Sequence, residues 1–509
     1  MRKTYYHITS RLLTAAASAI LLIVASSCND YLDTTPSKGS SEVLDKSEQI
    51  EGLFNNSENF NTKATLVAAE SDDMGMTTDL YDQTGYLGED FANGLSFDID
   101  AVEAYPYGDK VWNNLYNKVF IANLVLENMD EVEDLTADNR AKYLAQAHFT
   151  RALALWNLAQ IYCRPYATST SDTPGLPLKT STSYEENTDR GTLATTYKFI
   201  YDDLKAAQQT APASIDKRWW VSQPAVSAML ARYFLFTCQY DSAAVYADKA
   251  LASNNATLQD YNEIGIEKES IISPDGVSDS VTYSDLYELA PNELADYQEN
   301  YFSQYAEVES GIYLIPSESL TALYDTDNDL RYRLFFSVHG LWAASLDDGG
   351  DSRMWHKFHH YAYDTDLIEI GPTVPEMLLT KAEAEARLGK VSEAMTSVNT
   401  LRKARMDNSA DDVELSASNQ EEAVKAILDE RHREMPYLMR WADIRRLAYN
   451  EVDYDDVTVT REFYEVEDGI PNTYKITTYT LPVRSPRYAQ PISDIEIKRS
   501  GNQIKQNEY

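Results

Sequence analysis

The chain has 509 residues, with 81 acidic side chains against 44 basic ones and a formal charge of −37. So acidic a surface repels nucleic-acid phosphates and anionic lipid headgroups, which excludes nucleic-acid binding and electrostatic attachment to a membrane. The length suffices for a large core and more than one lobe, and a chain this long with three cysteines has no need of a disulfide framework.

Arg2, Lys3 and Arg11 surround the start of an apolar run that extends from Leu12 to Ser27. The run is shorter than the roughly 20 residues a spanning helix needs and ends in small residues, so residues 1–27 read as a secretion leader. Ala25-Ser26-Ser27-Cys28 places small residues directly before a cysteine, as bacterial lipoprotein leaders do, with Ala25 where leucine is usual. Cys28 is therefore the expected lipidation site, holding the chain to the membrane through a lipid anchor. An ordinary leader with an incidental cysteine is the alternative. Residues 28–41 are polar with Pro36 and Gly39 and read as anchor and tether.

Helical patterns dominate residues 42–254. Val111, Leu115, Val119, Ala122, Leu126 and Met129 recur at spacings of three and four, predicting a helix over 111–130. Leu144, Ala147, Ala152, Leu155, Leu158 and Tyr162 predict another over 136–162. Further helices are expected over 195–209, 223–237 and 240–253. In the last two, Ala225, Ala228, Met229 and Ala231 would face Ala243, Ala244, Ala247 and Ala250. Small residues on both partners allow close approach, which is how helical repeats stack. Cys163 and Cys238 end apolar helical stretches and are expected in the core.

Residues 255–372 hold many Asp, Ser, Gly and Tyr residues and few periodic stretches, and read as a loop-rich lobe. Helix returns within 373–509. One helix ends at Leu388-Gly389 and the next runs from Val391 through Ala404, a pairing similar to a tetratricopeptide hairpin. A last helix is predicted over 420–448, and 451–509 read as irregular. The expected fold is mainly α: a tetratricopeptide-like helical superhelix with an irregular loop-rich ligand-binding lobe.

An ordered set of short motifs then runs almost the length of the chain. It begins with Cys28-Asn29-Asp30-Tyr31-Leu32-Asp33 and Pro36, then Trp112, Tyr116 and Asn123, then Arg151-Ala152 with Leu158 and Tyr162, and Pro174-Gly175-Leu176-Pro177. It continues with Asp327-Asn328-Asp329-Leu330-Arg331, Ala382-Glu383-Ala384, Asn399 with Arg402, and Glu430-Arg431-His432-Arg433-Glu434. Arg440-Trp441-Ala442-Asp443-Ile444-Arg445-Arg446 and a closing Pro491-Ile492, Glu496, Gln506-Asn507 and Tyr509 complete it. In this order the sequence resembles the SusD/RagB family of outer-membrane nutrient-binding lipoproteins, departing from it where Pro436 interrupts an expected helix. The resemblance implies residence at the cell outer membrane, facing the surface, and a TonB-dependent transporter (SusC-like) on which the lipoprotein sits as a lid. It also implies a nutrient ligand, usually a glycan and in some members a peptide, and no cofactor.

A glycan binder needs aromatic faces for sugar rings, with amides and carboxylates for hydroxyls. With 36 Tyr, 14 Phe and 7 Trp, position has to do the sorting. The candidates in loops are Tyr81, Tyr86, Tyr301, Tyr305, Trp342 and Trp355; packing is the commoner role for each, and one or two are expected to touch ligand. Trp112, Trp156 and Trp441 lie on helical patterns and are expected in the core. No metal site is expected: Asp325-x-Asp327-x-Asp329 begins like a calcium loop, but Leu330 replaces its glycine. His356, His359 and His360 lack completing ligands.

No catalytic residue is assigned either, since no nucleophile elbow, zinc-protease motif or phosphate loop occurs. Glu430, Arg431, Arg433, Glu434 and Arg445 are expected to form ion pairs that lock the last helix to its neighbours. A surface glycoside hydrolase remains the competing enzyme reading, because acids are too numerous for a catalytic pair to be excluded by count. A tetratricopeptide adaptor for proteins is the third.

Overall fold

In a computed structural model, the described residues are 44–509 apart from 57–60, 65–66, 85–88, 99–108, 184, 187, 265–269, 272–280, 283–294, 309–313, 338–353 and 356–365. The leader, Cys28 and the tether lie outside them.

The scaffold is built from helices taken in order. Helix α1 is Ser47–Asn55, a short α2 is Thr78–Thr84, and α3 Lys110–Asn128 and α4 Ala137–Tyr162 are the long pair that the spacing predicted. Then follow α5 Leu193–Thr210, α6 Gln223–Phe236 and α7 Tyr240–Leu251. A short α8, Leu330–Phe335, falls in the lobe, and α9 Val374–Arg387, α10 Val391–Lys403, α11 Gln420–Glu434 and α12 Leu438–Leu447 follow it. The starts are chemically marked: Asp109, Thr136, Ser222, Thr373 and Asn419 each accept a first-turn N–H, and Pro224 and Pro375 occupy the first turn, where no donor is missed. Helix α9 therefore begins at Val374. It stops at Gly389, whose φ of +78° suits a residue without Cβ.

Each helix packs on the next, α3 on α4, α4 on α5, α5 on α6 and α6 on α7, and the series resumes with α7 on α9, α9 on α10 and both on α11. The two predicted hairpins, far apart in sequence, are thus consecutive layers of one stack. Ala243, Ala247 and Ala250 meet Ala382, Ala384 and Ala386 in the same core, all without solvent exposure. Trp112, Trp156 and Trp441 are buried as expected, and Trp156 packs edge-on against Phe236 at 5.2 Å. Cys163 is buried and Cys238 half-buried, both as free thiols. Among the described residues no helix is long and apolar enough to cross a membrane.

Two expectations change. The predicted helix over 420–448 is two helices, broken at Met435–Tyr437. Pro436 lacks a donor, and Tyr437 takes φ +58°, a conformation that disfavours any side chain with a Cβ. The break is held by the Tyr437 N–H, which donates to Asp73 at 2.6 Å. The segment read as irregular after 451 contains a long hairpin. Among the strands before it, β1 Thr62–Ala64, β2 Tyr305–Val308 and β3 Asp366–Glu369 form a small sheet with β2 central, parallel to β1 and antiparallel to β3. The hairpin is β4 Val459–Glu467 and β5 Ile470–Leu481, joined at Asp468-Gly469, both at positive φ. An Asp-Gly pair between alternating residues is the sequence signal for such a turn.

Candidate functional site

The charged residues of the last helices look reactive in sequence, yet the structure uses them against one another. Arg331 at the start of α8 is fully buried and donates to Asp329 at 2.8 Å, Glu430 at 2.7 Å and Glu434 at 2.9 Å. Arg405, just past α10, reaches Glu434 and Glu299 at 2.9 and 2.7 Å. Arg402 and Arg433 occupy the second oxygen of Glu430, Arg431 and Arg446 share Asp443, and Arg446 forks onto Glu383. Arg445 differs from the expectation: its guanidinium serves the carbonyls of Tyr488 and Cys163 and the Gln160 side chain instead of an acid. Burial raises the Glu430 pKa, but the charges of Arg331, Arg433 and Arg402 outweigh it and bring it to about 2. A carboxylate ionised down to that pH and bonded through both oxygens has no proton to donate near neutrality.

The metal candidates among the described residues are similarly engaged, while His356, His359 and His360 lie outside them. Asp325 accepts from Asp327 and Asn328, while Asp329 caps α8 and holds Arg331, so this loop folds on its own hydrogen bonds. Asp72, Asp73 and His432 bring three ligand atoms within 4.8 Å of one another. Both oxygens of Asp72 receive Arg440, and those of Asp73 receive His432 and the Tyr437 N–H. A cation would have to displace a guanidinium there, so the trio fits a pinned helix break better than a metal centre.

The aromatic candidates separate by burial. Tyr301 and Tyr305 are 1 % and 5 % exposed, and the Tyr305 hydroxyl accepts from Asn300 at 2.9 Å. Their rings are packed in the interior and offer no face to solvent. Tyr86 and Trp342 lie outside the described residues. The backbone of Trp355 pairs with Phe336, and its side chain is outside them too. Tyr81, on α2, is half-buried and meets the rings of Phe463 and Tyr464 edge-on, each at 5.8 Å. The Tyr464 hydroxyl donates to Asp82 at 2.9 Å, so β4 is clamped to α2 by rings and by a hydrogen bond.

Beyond this clamp the hairpin carries a residue that the sequence reading missed. Glu465 pairs with Asn472 but Tyr464 pairs with Ile476, so Thr473, Tyr474 and Lys475 bulge from β5. Tyr474 is 98 % exposed, with Ile470 and Ile476 also exposed nearby, and the Asn472 side chain accepts the Tyr474 N–H at 3.2 Å. Bulges re-aim side chains at functional sites, and this one presents a whole aromatic ring to solvent. The Asp-Gly turn was the signal that could have located it. Tyr81, Asp82 and the hairpin thus form a surface with one exposed ring, neighbouring amides and carboxylates, and a rigid base.

Comparison with known proteins agrees with this architecture. A family described as "Starch-binding associating with outer membrane" matches residues 30–235, and one described as "SusD family" matches residues 374–509. A putative sugar binding protein from Bacteroides vulgatus ATCC 8482 superposes with a TM-score of 0.62 at 18 % identity, over 91 % of this chain and 99 % of its own. A SusD superfamily protein from Bacteroides thetaiotaomicron VPI-5482 gives 0.64 at 17 %, over 91 % and 100 %. Another from Bacteroides vulgatus ATCC 8482 gives 0.65 at 15 %, over 91 % and 98 %. No curated protein matches. The family matches at both ends, which take in nearly all of the helical stack, lead to one assignment: the chain belongs to the SusD/RagB family.

Proposed function

We propose that this protein is a lipid-anchored, surface-facing outer-membrane protein that binds a glycan or oligosaccharide and passes it to a TonB-dependent transporter without chemical change. The observation that carries the reading is the pair of family matches, one of them starch-binding and outer-membrane in description. The site chemistry supports capture over turnover. The buried carboxylates of the C-terminal helices are spent on arginines, whereas the exposed aromatic ring stands on the hairpin beside Tyr81. Cys28 carries the anchor, and Tyr474 and Tyr81 contribute to the ligand surface, together with the loop aromatics Tyr86, Trp342 and Trp355.

Two measurements test this. The anchored protein is extracted from outer membranes in mild detergent and its co-purifying partners are identified; a stoichiometric large β-barrel is expected, and its absence despite intact anchoring would sink the transporter role. Purified protein is then incubated with oligosaccharides while binding and product are followed together. Heat of binding with unchanged saccharide supports capture, and shortened saccharide favours a glycosidase.

A further inference from the structure

Lys118 sits in the middle of α3, on its buried side, and is 2 % exposed. Its ammonium donates to the carbonyl of Asn61, and among the described residues no carboxylate is paired with it. Almost every other buried cation in the stack has an acid or several carbonyls: Arg151 has Asp203, Arg232 has Glu376, and Arg331 has three acids. An ammonium carries three donors, so one carbonyl leaves most of its hydrogen-bonding capacity and all of its charge uncompensated. Burial alone pulls its pKa down to about 7.

The lysine lines a cavity of about 20 Å³. Four segments wall it: Phe54 from α1, Lys118 from α3, Gln146 and Thr150 from α4, and Gln304 with Phe302 from the strand leading into the small sheet. A cavity needs roughly 10–15 Å³ of such space to hold one water-sized particle. Gln146 is engaged at both ends, by the Val221 N–H and by the Trp219 carbonyl. Gln304 accepts from Asn157 through its oxygen at 3.3 Å, which leaves its amide nitrogen as a donor. The donors in the lining are thus the Lys118 ammonium, the Gln304 amide and the Thr150 hydroxyl, with aromatic and aliphatic walls behind them.

We infer that this cavity is a binding site for one small monovalent anion, chloride in practice, held by Lys118 and joining α1, α3, α4 and the sheet. Its size excludes phosphate and sugar acids, and its donors select against cations. The anion replaces the missing acid and lets the ammonium stay charged in the interior, which an isolated buried charge does not. The site lies inside the scaffold and is independent of the glycan surface, so it stands or falls apart from the proposed function.

The test uses the whole mature chain. Thermal unfolding is compared in sodium chloride and in sodium gluconate at equal ionic strength, for the wild type, Lys118→Met and Thr150→Val. Crystals exchanged into bromide are measured at the bromine absorption edge. Chloride is expected to raise the wild-type Tm by about 1–3 °C over gluconate, with the rise lost in Lys118→Met and reduced in Thr150→Val. A bromide peak is expected within hydrogen-bond reach of the lysine Nζ. Should Lys118→Met fail to fold, the bromide peak and the Thr150→Val response still decide the matter. Equal melting in the two salts with no bromide peak at the cavity would overturn the inference and leave a neutral lysine beside a water.

Discussion

The two halves of the helical stack are cemented by different chemistry. Around Trp156 the interior is aromatic and aliphatic, with Tyr197, Tyr233 and Phe236 packed about the indole at 5.8, 6.2 and 5.2 Å. Around Glu430 it is ionic, with Arg331, Arg405 and Arg431 fully buried among acids. An apolar core tolerates imperfect geometry and depends little on pH. A buried ionic lattice gains little over apolar packing while intact, but each member becomes a liability once its partner is removed. The N-terminal half should therefore fail gradually and the C-terminal half all at once.

The sharpest way to break this comparison is Glu430→Ala, which removes the acid that Arg331, Arg402 and Arg433 share. It is expected to cost about 3–5 kcal/mol in urea unfolding. Leu158→Ala, in the apolar half, opens a cavity and should cost about 2–4 kcal/mol. If the ionic substitution proves the milder of the two, the contrast is wrong.

Acid sharpens it further. The Glu430 pKa is depressed from 4.5 to about 2, so its contribution to stability is present above the unfolded value and is lost as pH falls toward the folded one. Wild-type urea midpoints should drop across that window, while the Glu430→Ala midpoint, lacking this titration, should drop less. Glu70 runs the other way. Burial raises its pKa to about 8, only partly offset by the Gln490 hydrogen bond and by Arg445 and Arg461. The raised value means that stability present below pH 4.5 is lost as pH rises toward 8. Glu70→Gln should therefore unfold later than wild type at pH 8 and alongside it at pH 4, as read by thermal melts.

The smallest effect on stability belongs to the surface. Tyr474→Ala should leave Tm unchanged, since the ring touches solvent on almost every side. It should weaken oligosaccharide binding about 2–10-fold by calorimetry. Unchanged affinity would remove the hairpin from the ligand surface.

Much of the scaffold was legible because alanine spacing and capping residues act locally: Ala382-Glu383-Ala384-Glu385-Ala386 before Leu388-Gly389 announces a closely packed helix and its end. The break after Glu434 was half visible, in Pro436, while the left-handed Tyr437 depends on Asp73 from the other end of the chain. Tyrosine is the residue hardest to place from sequence. Its ring and hydroxyl suit interior and surface equally, so Tyr301 and Tyr305 read as loop residues and proved to be interior ones. Tyr474 was hidden by reading 451–509 as irregular, though Asp468-Gly469 marked the hairpin. Lys118 falls on the apolar face of its helix, in line with Val111, Leu115 and Ala122, and tertiary packing sets Phe54 and Phe302 around it.

The stacking of α7 directly on α9 has an evolutionary consequence. The described residues between Leu251 and Val374 form no further layer of the stack, and the segment has adjacent ends and behaves as an insertion, tied back into the interior at Glu299, Phe302 and Arg331. Closing a loop twice as long costs only about 0.6 kcal/mol more. Selection can therefore lengthen or shorten the stretches between those anchor points almost without cost to the array, while Glu299, Phe302 and Arg331 keep the segment fastened to an unaltered chassis.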